Sequence, residues 1–224
     1  MKTRNRNFIN IKNGFTLAEV LITLVIIGVI AALTIPTAIN NTKEQELKSQ
    51  FAKAYSTILQ TIRKTETNNY FGYVKCYYND DESGYESAQC IPFYNAAFSQ
   101  NVQVQKVCQN NSLANGCIPE YKTYSTGSSH ELYTKNSIEN NNRSYVLANG
   151  IIIIPYSTTW SMPLFLVDIN GHKGPNAYGK DLFSFIIRRS YDKGLYIAPG
   201  GGINPVSGGK TTEEMIQYAL AGKK

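Results

Sequence analysis

The chain has 224 residues and a formal net charge of +6, with four cysteines and only two histidines. His130 and His172 have no nucleophile or metal-ligand partner at a recognisable spacing, and no G-x-S-x-G, H-E-x-x-H or P-loop pattern occurs, so the common catalytic signatures are excluded. Four of the basic side chains fall in the first 14 residues. After residue 35, 18 basic side chains face 15 acidic ones with no dense basic run, which argues against nucleic acid as the partner.

Residues 1–14 carry Lys2, Arg4, Arg6 and Lys12 with no acid, whereas residues 15–35 contain one ionisable side chain, Glu19. A basic flank beside an apolar stretch keeps the flank cytoplasmic. The segment from Phe15 to Ile35 would make a helix of about 31 Å, the thickness of a bilayer's hydrocarbon core. A secretory signal places its small-residue cleavage site after the apolar region. Here the small residue, Gly14, precedes it. A carboxylate inside such a segment is expensive, which marks Glu19 as functional.

Gly14-Phe15-Thr16-Leu17-Ala18-Glu19 resembles the class III leader of type IV prepilins and type II secretion pseudopilins. The resemblance implies cleavage between Gly14 and Phe15 by an inner-membrane prepilin peptidase, which also methylates the new terminus at Phe15. It implies that the apolar helix survives processing, and that Glu19 pairs with the amino terminus of a neighbouring pilin or pseudopilin subunit. It further implies an assembly platform protein and a cytoplasmic assembly ATPase as partners. Pro36 falls where pilins of this type commonly bend or locally melt the helix, by losing one hydrogen bond and crowding the carbonyl a turn back.

Beyond residue 40, Leu47, Phe51, Tyr55, Ile58 and Ile62 recur at helical spacing, opposite a charged face. One helix is expected from about Thr16 to Glu66, ending near Thr67-Asn68-Asn69 and Gly72. Residues 70–142 lack long apolar runs and read as loop-rich, and they hold Cys76, Cys90, Cys108 and Cys117, none in C-x-x-C spacing. Four cysteines permit three connectivities. Pairing Cys76 with Cys90 and Cys108 with Cys117 is the expectation, since each bond would close a short loop in a weakly cored region. Free thiols and a metal site are the alternatives.

From Arg143 the pattern is β. Ser144 to Ala148 and Ile151 to Tyr156 flank Asn149-Gly150, a hairpin signal, and the four consecutive isoleucines from Ile151 read as a strand buried on both faces. Met162 to Ile169, Leu182 to Ser190 and Leu195 to Ala198 supply further strands. Gly200-Gly201-Gly202 lacks the context of a phosphate cradle and reads as a turn. Thr211-Thr212-Glu213-Glu214 has the form of a capping box before a terminal helix from Met215 to Leu220.

The turn from Asp168 to Phe183 resembles the Asp-x-Asn-Gly, Pro-Asn and Gly-x-Asp-x-Phe pattern of major-pseudopilin-like proteins, some of which bind calcium there. That resemblance makes Asp168, Asn170 and Asp181 candidate oxygen ligands of a structural calcium. The alternative is a hydrogen-bonded turn built from residues any tight turn uses, with Asp181 capping backbone amides. No other cofactor is expected.

The expected fold is α+β and pilin-like: a long N-terminal helix, transmembrane in its first half, packed on three or four antiparallel strands, with a disulfide-containing insertion. The expected organisation is a leader over 1–14, a transmembrane and assembly helix over 15–39, and an extracytoplasmic globular domain over 40–224 that includes the amphipathic helix 40–66. The expected function is that of a structural subunit of a type IV pilus or type II secretion pseudopilus. It would be held in the inner membrane by one pass, then moved into a fibre in the periplasm or at the cell surface. A competence-type DNA-uptake pilin and a membrane-anchored extracytoplasmic enzyme are the alternatives.

Overall fold

The computed structural model describes residues 14–67, 76–82, 84–86, 90–122, 138, 143–156, 163–200 and 204–221. The leader before Gly14, the stop signals from Asn68 to Gly72, His130, Met162, Gly201 and Gly202 lie outside the described residues. Two compact units divide the chain, Met1–Glu44 and Gln45–Lys224.

Helix α1, Leu17–Thr67, is the first element, within a residue of its expected bounds at each end. In the first unit its large apolar side chains, from Leu17 through Ile39, are exposed. This stretch is long and apolar enough to cross a membrane. The helix is continuous through Pro36, so the proline does not melt it. Its missing N–H leaves the carbonyl of Ala32 without its helical donor. One turn earlier, the Thr34 hydroxyl donates to the Ile30 carbonyl at 2.9 Å.

In the second unit α1 buries Phe51, Ala54, Ile58 and Ile62, with Leu47 and Tyr55 partly covered, which is the apolar face the spacing predicts. That face lies on an eight-stranded sheet: β1 (Tyr77–Asn79), β2 (Gly84–Glu86), β3 (Val104–Cys108), β4 (Ser144–Leu147), β5 (Ile152–Tyr156), β6 (Leu164–Asp168), β7 (Leu182–Ser190) and β8 (Gly194–Pro199). The spatial order is β2-β1-β7-β6-β5-β4-β3, with β8 also paired to β7. Strand β7 reconciles these neighbours by its length. It pairs with β8 over residues 185–190 on one edge; on the other it pairs with β6 over 182–186 and then with β1 at Arg188 and Arg189. The β1 pairing is parallel, so the sheet is mixed rather than purely antiparallel.

The extra strands correct the expectation of three or four. Residues 70–142 are not all loop: they hold β1, β2, β3, helix α2 (Cys90–Asn95) and a π-helical turn, Ala96–Gln100. Strands of three to five residues are too short to show a period.

Alternate residues of β5 point to opposite faces, and both faces are covered. Ile151 and Ile153 join Tyr145, Phe165, Val167, Phe183 and Phe185 against α1, where α2 and the π turn add Phe93, Tyr94 and Phe98. Ile152 and Ile154 join Leu164, Leu166 and Leu182 on the reverse face, under Cys108, Cys117, Ile118 and Tyr121. The isoleucine run is therefore buried on both sides, as its composition requires. The covering segment is closed by the Cys108–Cys117 disulfide, and Cys76–Cys90 ties the chain before β1 to α2.

The β4–β5 connection is a three-residue loop. Gly150 N–H donates to the Leu147 carbonyl, Leu147 N–H to Ile151, and Gly150 takes φ +86°, a type I turn followed by a left-handed glycine. At the far side of the sheet, α1 covers the outer edge of β8 with side chains. Glu66 accepts from Leu195 N–H at 3.4 Å, Arg63 donates to the Leu195 carbonyl at 3.3 Å, and Tyr55 donates to the Ile197 carbonyl at 3.4 Å. An open strand edge invites pairing with other chains, and these contacts occupy it. Helix α3, Thr212–Leu220, closes the chain with the expected capping box: Thr211 and Glu214 exchange side-chain-to-backbone bonds of 3.1 and 2.7 Å.

Candidate processing and assembly site

Gly14 and Phe15 precede α1 and are exposed, Phe15 to 89%. A Cβ built on Gly14 meets no atom within 4 Å, so packing within the chain does not require glycine there. An accessible stretch with a residue lacking a side chain suits entry into a protease cleft.

Glu19 is not a solitary carboxylate. It occupies the third position of α1, and its Oε2 accepts from Thr16 N–H and from the Thr16 hydroxyl, both at 2.8 Å. Thr16 Oγ1 accepts in return from Glu19 N–H at 3.3 Å. This is a capping box: it satisfies helix-start amides that would otherwise be orphaned and places negative charge at the positive end of the helix dipole. The T-x-x-E spacing carries that signal, and the family reading of Glu19 alone passes over Thr16. The geometry fixes the carboxylate next to the backbone of Thr16, one residue from Phe15.

The second candidate cluster lies in the turn between β6 and β7. Asp168 is fully buried; its Oδ1 accepts from Asn170 N–H (3.1 Å) and Gly171 N–H (2.8 Å), and its Oδ2 from the Tyr121 hydroxyl (2.9 Å). Asp181, also buried, accepts from Asn176 N–H and Ala177 N–H at 2.7 Å each. The two aspartates thus cap the turn, as the hydrogen-bonded alternative has it. Burial pushes the Asp168 carboxyl up to about 8, the charge of Asp181 adds to it, and the amides of Asn170 and Gly171 with the Tyr121 hydroxyl oppose it. Burial raises Asp181 as well.

Two polar atoms in this turn are left over. Asn170 Oδ1 and Asn176 Oδ1 are buried without a hydrogen-bond partner. Two buried carboxylates and two orphaned amide oxygens thus share this turn, all of them oxygen donors of the kind a hard cation uses, although among the described residues no group of three or more His, Cys, Asp or Glu side chains is placed to hold a metal ion. Asn176 is the asparagine of the Pro-Asn element of the sequence pattern but is not among the candidate ligands; Tyr121 lies outside the pattern, in the segment behind the Cys108–Cys117 disulfide, 47 residues away in sequence.

The remaining sequence candidates separate. His172 is exposed in the turn. Arg188 pairs with Asp80 at 2.6 Å and Arg189 with Glu66 at 3.9 Å, so the two arginines are spent on neighbouring acids.

A family model described as the prokaryotic N-terminal methylation motif matches residues 9–35. That segment is the class III leader of type IV pilins and pseudopilins. It supports a chain of the pilin or pseudopilin-like type that prepilin peptidase processes and that assembles with other pilins. Pilins of this type are structural proteins, and the leader with its long apolar helix fits membrane anchoring. No curated protein and no solved structure matches the chain.

Proposed function

We propose that the chain is a structural subunit of a type IV pilus or a type II secretion pseudopilus, cut after Gly14, N-methylated at Phe15 and assembled through the first half of α1. The observation that carries this reading is the methylation motif over residues 9–35 placed on an exposed helix start, with an open Gly14 and a Glu19 held beside the future terminus. While the subunit waits in the bilayer, the Thr16 bonds lower the cost of holding Glu19 in a low-dielectric setting. In the fibre, the new ammonium of a neighbour's Phe15 becomes its partner and sets the axial register. The leader stays on the cytoplasmic side, the domain from residue 40 outside, and an assembly platform and a cytoplasmic ATPase drive extraction from the membrane.

The turn between β6 and β7 extends the reading to a structural calcium ion held by Asp168, Asn170 and Asp181, with Asn176 as a fourth oxygen donor. Bound there, the ion would supply the positive charge that two buried carboxylates lack. What supports it is the pair of orphaned amide oxygens.

The test is coexpression with a prepilin peptidase and an assembly machinery, with mass spectrometry of the mature terminus and recovery of sheared filaments. The wild-type chain should begin at methylated Phe15, and Glu19→Ala should be cut normally yet be lost from filaments. An uncut chain, or filaments unaffected by Glu19→Ala, would refute the assignment.

A further inference from the structure

In the second unit, α1 and the end of α3 enclose an open groove of about 610 Å³ whose charged lining is Lys48 and Lys53, with Ser49 and Ser56 beside them and Ala219 across. No acid lines it. Tyr218 adds to its cationic character: Lys48 Nζ lies 4.4 Å and Lys210 Nζ 4.9 Å from its ring centroid, which holds a third lysine at the same end of the domain. Glu46 on α1 accepts from Gln50 of its own helix at 2.9 Å.

The opposite charge lies at the other end of the helix. The turn after β1 reads Asp80-Asp81-Glu82, with Asp81 and Glu82 exposed. Asp80 is committed to Arg188 and Tyr196. Asp81 accepts one bond, from Tyr191 N–H at 2.9 Å, and keeps acceptor capacity toward solvent. Around the turn's own Asp80, Asp81 and Glu82 lie Glu66 and Asp192 and the bases Arg188, Arg189 and Lys193; Arg188 is taken by Asp80 and Arg189 by Glu66, which leaves Asp81, Glu82 and Asp192 against Lys193. Because β1 pairs with β7 at Arg188 and Arg189, and Arg189 meets Glu66, the turn sits beside the last turn of α1. About 27 Å of helix separates Lys48 from Glu66 at 1.5 Å per residue.

We infer that this groove receives the Asp81-Glu82 turn of a second copy of this chain. The contact rests on the filament reading above, in which helices run parallel and copies are displaced along their axes. Under that displacement the acidic end of one copy approaches the basic end of the next. The two surfaces differ, so the contact is head-to-tail and repeats without closing, which is the geometry that yields a fibre. Complementary charge selects register and partner more than it supplies affinity, and the apolar helices supply the bulk of the attraction.

The test uses the full chain in cells that process and assemble it. All four native cysteines are paired, so new ones report alone. A chain carrying both Lys53→Cys and Glu82→Cys should give an oxidant-dependent ladder in sheared filaments, and the two single variants mixed should give a cross-linked dimer. Reversing Lys48 and Lys53 to Glu, or Asp81 and Glu82 to Lys, should each lower filament yield by about tenfold, and combining all four should restore it to within about threefold. Filaments without the ladder, or a combined variant as poor as its parents, overturn the contact while leaving the filament reading intact. A parent chain that is cut at Phe15 but never found in filaments overturns the filament reading itself.

Discussion

Calcium binding in the β6–β7 turn is open to a quantitative test. The perturbation is removal of calcium by a chelator, compared with 1 mM free calcium, in detergent-solubilised chain. The site offers two carboxylates and two amide oxygens, fewer charged ligands than a tight calcium loop, which places it at the weak, extracellular end of the affinity scale. Taking Kd as roughly 0.1 mM, 1 mM calcium stabilises by about RT ln 11, or ~1.4 kcal/mol. For a domain of this size that is a rise in Tm of about 3–6 °C. Differential scanning calorimetry with and without chelator reads it directly. Asp181→Asn should abolish the calcium-dependent part, because it removes half the ligand charge; Asn176 and Ala177 donate to separate oxygens of Asp181, so the amide keeps only one of the two bonds and the calcium-free Tm should fall as well. Magnesium should give a smaller shift, since it requires a tighter octahedron. Equal Tm in calcium and chelator for the wild-type chain, or an undiminished calcium shift in Asp181→Asn, would refute the reasoning. The turn would then be held by its hydrogen bonds alone.

Gly171→Ala is expected to be severe. Glycine adopts φ +65° there, and an added Cβ would lie 2.4 Å from the Gly150 carbonyl oxygen, so two turns at one end of the sheet would be forced apart. A loss of about 2–4 kcal/mol in urea unfolding is expected; a loss below about 0.5 kcal/mol would show that the turns do not press on each other. Replacing Cys108 and Cys117 together by Ser should cost about 2–4 kcal/mol and, by loosening the cover of Ile152, Ile154 and Leu166, increase binding of a hydrophobic dye. Dye binding unchanged from wild type would mean that packing, not the disulfide, holds that cover in place.

The legible parts of the sequence are those where one physical requirement dominates. Residues 15–35 had to be apolar and uninterrupted. The spacing of Leu47, Phe51, Ile58 and Ile62 had one helical solution, and four consecutive isoleucines needed two covered faces. What covers the second face was hidden, because Ile118 and Tyr121 sit among polar residues with no period of their own. β1 and β3 were invisible for a related reason: they are held by β7 and β4, far away in the chain, rather than by local pattern. The turn was half legible. Asp168, Asn170 and Asp181 are legible as oxygen donors and Asn176 only as part of the Pro-Asn element, its positive φ of 52° unseen, while Tyr121 enters through tertiary contact alone. Thr16 is different: the T-x-x-E spacing to Glu19 carries its capping role in the sequence itself.

The side chains of α1 that cover the β8 edge have a mechanical consequence. On the proposed filament reading, load on residues 45–67 of α1 would pass into the sheet through the bonds of Tyr55, Arg63 and Glu66 to β8 and through the seated rings of Phe51 and its neighbours. These bonds act together across the helix-to-strand seam, so the seam resists sliding as a unit rather than unzipping one bond at a time. The same contacts that keep a strand edge from recruiting strangers therefore also serve as the coupling between cable and cargo.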